Sequence, residues 1–487
     1  MQESATQKVD DSTESKKPNR REFLGAAGAA VMTAASYRRV LGANDRVGIG
    51  VIGFGLIGKQ HIVDLKKFKD VELLGMCDCY KPRLDEGLAF MESPNAKGYS
   101  DFRRMYENKD IQGVLIASPD HWHAMHTILA CAAGKDVYVE KPMTLFVDEG
   151  KWMVQAARKY NRIVVVGTQR RHGRGVKDAR NAMAQGTIGK VHSIRWSSYR
   201  NIYPGFGVTP ITNPPPELDY DMWLGPAEKK PYRAHRALYH FRWFWDFSGG
   251  QMTNLGAHTI DQIMYVMNVK GPTLVHSTGG RFVLEDDGDT PDIQDAMWVF
   301  PSSTPGAPNF VMNAAIREAN AGRGAADAAS RGQLYFGTKG TMVLAGNWEI
   351  FPENKTDPVN DIPRFSGHPV GGPVYSDTKP TPWIDGAKGK VPESDPRYGT
   401  GGEDTMAMNE QDWVNCIRSR QKPFCEVEEG HRVSVVCLLA NMSLKLGRAI
   451  RWDPDKEVVI GDKEAAAMCV KQYRAPWDKE LRSIVKV

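Results

Sequence analysis

A run of small apolar residues leads directly into three glycines spaced as G-x-G-x-x-G. The run is Val47–Ile52, the glycines are Gly53, Gly55 and Gly58, and a helical pattern follows through Lys66. In this order the first glycine permits a tight turn, the second lets the backbone approach a pyrophosphate, and the third lets the helix pack on the strand. The motif predicts a dinucleotide-binding strand, turn and helix. The cofactor contacts expected in it are Gly53, Phe54, Gly55, Leu56, Ile57 and Gly58.

An aspartate follows the next predicted strand, Val71–Cys77, at the position where an adenosine ribose would lie. A carboxylate there accepts hydrogen bonds from the ribose and repels a 2′-phosphate, so Asp78 favours NAD as the cofactor. Lys81 and Arg83 stand just beyond it and leave NADP as an alternative.

Strands and helices alternate up to about residue 168. Further strands are predicted at 113–118, 136–140 and 163–167, with helices ending near 133 and at 147–160. This alternation gives a parallel doubly wound sheet, which is an α/β fold whose ligands lie at the carboxyl ends of the strands. A Rossmann domain that binds NAD(P) is therefore expected over 44–168. The residues after strand 113–118 that we expect to line the cofactor are Ser118, Pro119, His121 and His123.

Five motifs occur in a fixed order along the chain. They are the glycine loop, Ser118–His123, Glu140-Lys141-Pro142, Gly167–Arg171 and Gly249–Asp261. In this order they closely resemble the Gfo/Idh/MocA family of oxidoreductases, which includes glucose-fructose oxidoreductase and inositol dehydrogenase, and the resemblance runs from about residue 44 to the end. It implies that Glu140 and Lys141 contact the cofactor. The substrate contacts that it implies are Gln169, Arg170, Asn254 and Asp261.

Lys141 and His258 are predicted to move the proton in such a reaction. Oxidation of a secondary alcohol removes the hydroxyl proton as hydride leaves, and the base works best with a pKa near the working pH. Burial and the positive charge of an oxidised nicotinamide would both make Lys141 easier to deprotonate. His258 lies four residues after Asn254 and shares a helix face with it. The family usually has an aspartate in place of Asn254, which leaves the division of labour between Lys141 and His258 open.

The resemblance implies an α+β domain over 169–487, with an open, mostly antiparallel sheet. Strands are predicted at 190–196, 273–276, 296–300, 310–313 and 334–336. One face of such a sheet can remain free for a substrate or a partner subunit, and a homodimer or homotetramer is expected. The helical segments 411–420 and 433–446 are expected to return to the first domain.

Twelve aromatic residues lie between Tyr199 and Phe247. They form either a hydrophobic patch under a long loop or a wall that stacks on sugar rings, with Trp243 as the candidate substrate contact. The segment 352–402 is rich in proline and glycine and cannot form a regular element. It is a lid, an arm over a neighbouring subunit, or disordered, and we favour the arm.

The first 43 residues have the form of a twin-arginine export signal. Arg20 and Arg21 precede an alanine- and glycine-rich run that ends near Ser36. The run is shorter than the ~20 apolar residues needed to span a bilayer. An ordinary secretory signal or a solvated helix are the alternatives. We expect export to the periplasm, with no stable membrane span except an uncleaved signal.

Charge and cysteine content exclude other classes. A net charge of +5, from 63 Lys and Arg against 58 Asp and Glu, is small and scattered, which argues against nucleic-acid binding. Seven cysteines at wide spacings specify neither a disulfide framework nor a zinc ribbon. Cys77-x-Cys79 and His121-x-His123 have no further ligands nearby, so no metal site is predicted.

These observations favour a sugar or polyol dehydrogenase. Export of an already folded protein suggests a tightly held NAD, because free NAD is scarce outside the cytoplasm. A glycosidase that oxidises its sugar transiently is the alternative, although relatives of that type replace the lysine that this chain keeps at Lys141. A non-catalytic sugar-binding protein is the third hypothesis.

Overall fold

The structure, a computed structural model, describes residues 46–302, 308–322, 332–355, 382–388 and 404–487. The leader, 1–43, lies outside the described residues, and so does most of the segment 352–402. The arm and the export signal therefore remain predictions.

Six parallel strands form the first sheet, in the order β3-β2-β1-β4-β5-β6. The strands are Val47–Ile52, Val71–Cys77, Lys97–Tyr99, Gly113–Ile116, Asp136–Val139 and Val164–Val166 for β1 to β6. The helices are Leu56–Leu65, Lys81–Met91, Phe102–Tyr106, Asp120–Ala132 and Val147–Lys159 for α1 to α5. The predicted Rossmann fold is confirmed, and its strand order reverses between β1 and β4, where such sheets bind ligands. Strand β3 was not predicted, because it has three residues that all lie at least partly in solvent.

Ten strands form the second sheet, in the order β14-β13-β12-β11-β7-β10-β9-β8-β15-β16. All neighbours are antiparallel except β7 and β10, which confirms the mostly antiparallel sheet. The strands are Val191–Tyr199, Leu274–Gly280, Ile293–Phe300, Phe310–Arg317, Gln333–Gly337, Gly340–Ala345, Asn347–Pro352, Ala387–Lys388, Ile450–Asp453 and Val458–Val459 for β7 to β16. The helices beside them are Arg174–Ala184, Tyr220–Leu224, Gly250–Asn254 and Gly256–Met267 for α6 to α9.

Two late helices pack on different sheets: the segment 411–420 returns to the first domain as predicted, whereas 433–446 packs mainly in the core of the second sheet. Helix α10, Thr405–Ser419, buries Trp413 in the core of the first sheet. Helix α11, Val427–Leu446, packs on the second sheet, where Trp298 Nε1 donates to the carbonyl of Val436 at 3.0 Å. The remaining helices, Lys463–Ala467 and Trp477–Ile484, are α12 and α13. Within the described ranges no helix is both long and apolar enough to cross a membrane.

The face of the second sheet opposite α11 carries a shallow depression of about 470 Å³. Its wall is formed by side chains that alternate with the buried residues of four central strands. They include Arg195, Tyr199, His276, Asp295, Met297, Asn313 and Arg317. The second sheet is thus covered by helices on one face and lined by polar and charged groups on the other.

Candidate active site

A cavity of about 570 Å³ lies at the carboxyl ends of the first-sheet strands, where the strand order reverses. This volume is typical of small-molecule sites. Most of the predicted site residues line it: Gly53, Phe54, Gly55, Leu56, Ile57, Asp78, Ser118, Pro119, His123, Glu140, Lys141 and Asn254. The topology therefore brings together residues that are separated by up to two hundred positions in the sequence.

The glycine loop has room for a pyrophosphate where the motif requires it. Gly53 has φ of +92°, and a Cβ there would lie 2.6 Å from the carbonyl oxygen of Ala117. A Cβ at Gly58 would lie 2.1 Å from the Gly53 oxygen, so only glycine at this position lets helix α1 pack closely against the loop. At Gly55, which caps α1, an added Cβ would meet no atom within 4 Å. The open space therefore faces a helix N-terminus, which favours anions.

Asp78 ties the glycine loop to the end of β2. Its Oδ2 accepts a hydrogen bond from the Phe54 amide and its Oδ1 accepts one from the Tyr80 amide, both at 2.9 Å. Burial raises the pKa of Asp78, while these two amides and Arg83 act in the opposite direction. The carboxylate still lines the cavity, where the ribose of a dinucleotide would lie.

Replacing Asp78 by serine should shift cofactor choice from NAD towards NADP. The substitution removes the charge that repels a 2′-phosphate and leaves Arg83 on the cavity wall to attract it. We expect the nucleotide released by denaturing the purified protein to be NAD in the parent and to include a larger share of NADP in the variant. An unchanged nucleotide content would contradict this role of Asp78.

Lys141 also lines the cavity, after a strand that pairs with β4 rather than with β2. Lys141 follows β5, and its Nζ donates to Asn254 Oδ1 at 2.9 Å and to the Asn254 carbonyl at 3.3 Å. Burial lowers the pKa of Lys141, and Glu140 and Asp120 oppose this effect less strongly. Asn254 thus holds a lysine that loses its proton more readily than one in water.

His258 lies beside this lysine but does not line the cavity. It is 6% exposed, and its Nδ1 has no hydrogen-bond partner among the described residues. Burial lowers the pKa of His258 far below its ordinary value, and the charges of Lys141 and Arg170 lower it further. The imidazole is therefore neutral at physiological pH and can accept a hydrogen bond, but the lowered pKa makes it a poor proton acceptor.

Glu140 is held by a buried cluster that sequence reasoning missed. His61 Nε2 lies 3.0 Å from Glu140 Oε1, and His61 Nδ1 contacts Glu410 on α10. Burial lowers the pKa of His61, but the two glutamates outweigh it and raise the pKa to about 10. Glu140 Oε2 in turn accepts the Lys141 amide at 3.0 Å. The cluster therefore fixes the backbone that carries the reactive lysine.

The protonated His61 should make the protein lose stability as the pH rises. An unfolded histidine has a pKa near 6.5, so the stabilisation is complete below pH 6.5 and disappears as the pH approaches 10. Between these limits the free energy of unfolding should fall by up to about 1.4 kcal/mol per pH unit.

Denaturant unfolding at several pH values measures this slope. We expect a smaller fall in His61→Gln than in the parent. His192→Gln, which changes an exposed histidine on β7, should keep the parent slope. Equal slopes in the parent and His61→Gln would contradict a charged His61.

Three predicted contacts do not line the cavity, which corrects their expected position. His121 Nε2 lies 2.9 Å from the Trp223 carbonyl, and burial lowers its pKa to about 3. Asp261 is fully buried and pairs with Arg171 rather than facing the cavity. Trp243 is buried and its Nε1 donates to Glu318 at 3.0 Å.

Gln169 and Arg170 belong to a 3-10 turn that follows β6. Gln169 Oε1 is buried without a partner among the described residues. Arg170 is close enough to influence the pKa of both Lys141 and His258. Arg170 is therefore placed near Lys141, and neither Arg170 nor Gln169 forms the cavity wall. Their contact with a substrate stays a prediction.

A segment of the aromatic region, residues 217–242, covers the cavity and is called the roof here. Its side chains on the cavity wall are Met222, Trp223, Leu238, Tyr239, Phe241 and Arg242. The roof is attached to the first domain on the ribose side, where the Lys81 amide donates to the Glu217 carbonyl at 3.0 Å. Trp122 Nε1 holds it on the other side by donating to the Trp223 carbonyl at 3.0 Å. Part of the aromatic region is therefore core and part lines the cavity, and stacking of the lining part on a sugar ring stays a prediction.

Asp120 was also missed as a site residue, although its segment was recognised. Its carboxylate lines the cavity and accepts a hydrogen bond from Ser248 Oγ at 2.6 Å. Its position directly after Ser118-Pro119 was the available signal. Within the described ranges, no group of three or more His, Cys, Asp or Glu side chains is arranged to hold a metal ion.

Family comparisons agree with this geometry. Residues 47–168 match the oxidoreductase family with an NAD-binding Rossmann fold, named Gfo/Idh/MocA, and residues 176–278 and 376–479 match its C-terminal alpha/beta domain. The chain belongs to the Gfo/Idh/MocA family. Its first domain is accordingly an NAD-binding domain, and the glycine loop and Asp78 are the groups that fit this cofactor.

Individual relatives include two kinds of enzyme. The chain is 29% identical to the myo-inositol 2-dehydrogenase of Thermotoga maritima over 52% of its own length and 64% of that protein, which is just under two thirds. It is 26% identical to a glycosyl hydrolase family 109 protein of Shewanella sp. strain ANA-3, over 56% of this chain and 70% of that protein.

Solved structures of other dehydrogenases share the fold. A levoglucosan dehydrogenase in complex with NADH and levoglucosan aligns with a TM-score of 0.59 and 17% identity, over 83% of this chain and 99% of that one. The WlbA dehydrogenase from Bordetella pertussis, in complex with NADH and UDP-GlcNAcA, aligns with a TM-score of 0.57 and 18% identity, over 84% and 99%. At these identities the likeness concerns the fold alone.

Proposed function

We propose that this protein oxidises a secondary alcohol of a sugar or polyol, with a tightly bound NAD as the hydride acceptor. The observation that carries the proposal is the partly buried Lys141 amine, held by Asn254 on the wall of an NAD-binding cavity. Bound NAD would supply the hydride acceptor. The inositol and levoglucosan dehydrogenases among the relatives and structural neighbours support a carbohydrate substrate.

In this proposal Lys141 takes the proton from the substrate hydroxyl. The lysine must be neutral to do so, and its burial favours that state. Asn254 holds the lysine through its Oδ1 and can orient the hydroxyl. The neutral His258, which lies beside Lys141 without lining the cavity, assists by accepting a hydrogen bond. His61 and Glu140 position the Lys141 backbone without touching the reacting atoms.

The roof supports tight retention of the cofactor. It lines the cavity with aromatic side chains and is hydrogen-bonded to the first domain at Glu217 and at Trp223. Dissociation of NAD would require these contacts to open, or the cofactor to leave through the remaining gap. A second carbonyl compound would then re-oxidise the cofactor in place, giving a ping-pong reaction.

The decisive experiment is an absorption spectrum of the protein as isolated, before and after addition of each compound in a panel of sugars and polyols. Growth of the reduced-nicotinamide band with one compound, and its loss with a carbonyl acceptor, is the expected result. Protein that contains no nucleotide and turns over only with added free NAD would overturn tight binding. If no compound in the panel changes the reduced-nicotinamide band, the proposed dehydrogenase activity is overturned.

A redox-assisted glycosidase is the second candidate, favoured by the matches to glycosyl hydrolase family 109 proteins. It would use the same cavity but return the hydride to the product. Release of a chromogenic aglycone without a net change in nicotinamide absorbance would support it over the dehydrogenase.

Export and assembly are also proposed. The paired Arg20 and Arg21 support twin-arginine export to the periplasm, and cell fractionation of the full chain beside its Arg20→Lys/Arg21→Lys variant tests it.

The open, polar face of the second sheet supports a homodimer or homotetramer. Light scattering during gel filtration would show a monomer if that is wrong.

A further inference from the structure

The cationic side chains of Lys141 and Arg242 both line the cavity, and a third cation, Arg170, lies close enough to lower the pKa of Lys141 without forming the wall. Arg170 follows β6, and β6 pairs with β5 so that Val166 lies opposite Val139. Lys141 and Arg170 therefore leave adjacent parallel strands at the same edge of the sheet.

Few negative charges offset these cations. Asp120 also lines the cavity, but it already accepts a hydrogen bond from Ser248, and burial raises its pKa. Glu140 is occupied by His61 and by the Lys141 amide. Glu140 is thus committed mainly to other groups, while the charge of Asp120 offsets Lys141 and Arg242 only in part.

The two arginines have no acidic partner among the described residues. Arg242 donates from Nη1 to the Tyr239 carbonyl at 3.1 Å. The Arg170 side chain has neither an ion pair nor a hydrogen bond within the described ranges, and burial lowers its pKa. The adjacent Arg171, in contrast, is fully paired with Asp261. A shielded guanidinium without a partner is unfavourable unless a ligand supplies the negative charge.

We propose that the substrate carries a negatively charged group, a carboxylate or a phosphate ester, that Arg170 and Arg242 bind while its hydroxyl faces Lys141. The inference rests on the proposed dehydrogenase function and narrows its substrate to acidic sugars or polyols. Guanidinium groups suit this task because their planar fork donates paired N–H bonds to carboxylate or phosphate oxygens. The glycine loop, with its open space at Gly55, would bind the pyrophosphate of the cofactor, which leaves these arginines for the substrate.

Equilibrium binding to the protein as isolated, with its cofactor bound, tests the proposal without depending on turnover. Quenching of tryptophan fluorescence is a suitable signal, because Trp122 and Trp223 line the cavity. The probes are matched sets: D-glucose with D-gluconate, D-glucuronate and D-glucose 6-phosphate, and D-galactose with D-galacturonate. At least one acid should bind on the order of 10- to 100-fold more tightly than its neutral parent. The carboxylate and phosphate members of a set show which anion is preferred.

Arg170→Gln should abolish this preference. It should lower the affinity for the acidic sugar and leave the affinity for the neutral parent sugar unchanged. Arg242→Gln should act in the same direction. The matched control is Arg104→Gln, since Arg104 is exposed on α3 and pairs only with Glu107 among the described residues. This control should retain the parent preference.

The outcomes separate this inference from the proposed function. Three results would overturn the anion site. These are equally tight binding of the acids and their neutral parents, no binding of any compound, or a loss of affinity in Arg170→Gln that is the same for acids and neutral parents. Reduction of the cofactor by neutral sugars in that case would leave the dehydrogenase intact. Tight, Arg170-dependent binding of an acid without any change in the nicotinamide band would instead support the anion site and overturn the dehydrogenase.

Discussion

Replacing Lys141 by methionine should lower the rate of cofactor reduction on the order of 10²- to 10⁴-fold, the usual contribution of a general base. Methionine keeps much of the length and apolar volume of the lysine stem but has no amine to take the hydroxyl proton. Asn254 holds the Lys141 amine in place. Among the described residues, no other amine lies on the cavity wall near Asn254 to replace it.

Single-turnover reduction of the bound cofactor by an identified substrate measures this loss. The nucleotide content of the purified variant should match the parent, since the glycine loop and Asp78 are unchanged. Lys270→Met is the control, because Lys270 is an exposed residue that pairs with Asp455 on the second domain. A variant at Lys141 that reduces the cofactor within about threefold of the parent would remove the lysine from the mechanism. If the parent binds a sugar but does not reduce its bound cofactor, and Lys141→Met binds that sugar equally well, the non-catalytic hypothesis is favoured.

The pH profile supplies a second readout for the same lysine. The neutral amine is the active form, so the parent rate should rise as the pH passes the pKa of Lys141. Burial lowers that pKa, and the rise should therefore occur below the range of an ordinary lysine. The rise should disappear in Lys141→Met. Its persistence would assign the ionisation to another group.

Local rules explain why so much of the first domain could be predicted. The turn after β1 needs a positive φ at Gly53 and space at Gly55, and both requirements are visible as residue identity and spacing. Asp78 follows from the same rule, because it stands at the end of the next strand. The cavity was predictable to the extent that each residue is placed by its own strand end.

The rest depends on partners that are distant in the sequence. His61 meets Glu410 across 349 positions, and no local pattern in α1 or α10 indicates that the two will face each other. The roof likewise lies over the cavity because of contacts with the loop after β2. Such pairs are decided by the docking of whole elements, which periodicity and spacing do not report.

Asp261 shows how a motif can mislead about a side chain. The resemblance implied a substrate contact, and the helix that carries Asp261 does lie beside the cavity. However, Asp261 lies about two helical turns beyond Asn254, and its side chain is buried against Arg171 in the protein interior. A family motif thus contains both residues that touch ligands and residues that hold the motif in place.

Replacing Arg171 by methionine should destabilise the protein by about 3–5 kcal/mol, the usual effect of removing one partner from a buried ion pair. The Arg171 and Asp261 side chains are 4% and 0% exposed. Arg171 Nε lies 3.1 Å from both Asp261 oxygens, and its guanidinium lies over the rings of Tyr265 and Phe424. The single substitution leaves the carboxylate buried without its cation, and burial already raises its pKa. Denaturant unfolding of the purified variant measures the change.

The double variant Arg171→Met/Asp261→Leu identifies the cause. Two apolar residues of similar size leave no uncompensated charge, so most of the lost stability should return. Arg104→Met breaks the exposed pair with Glu107 and should change the free energy of unfolding by less than about 0.5 kcal/mol. If Asp261 only holds the fold together, the refolded double variant should also keep the KM of the parent for its substrate. A large rise in KM, with stability restored, would return Asp261 to the substrate site, because packing alone does not account for a loss of binding in a stable protein.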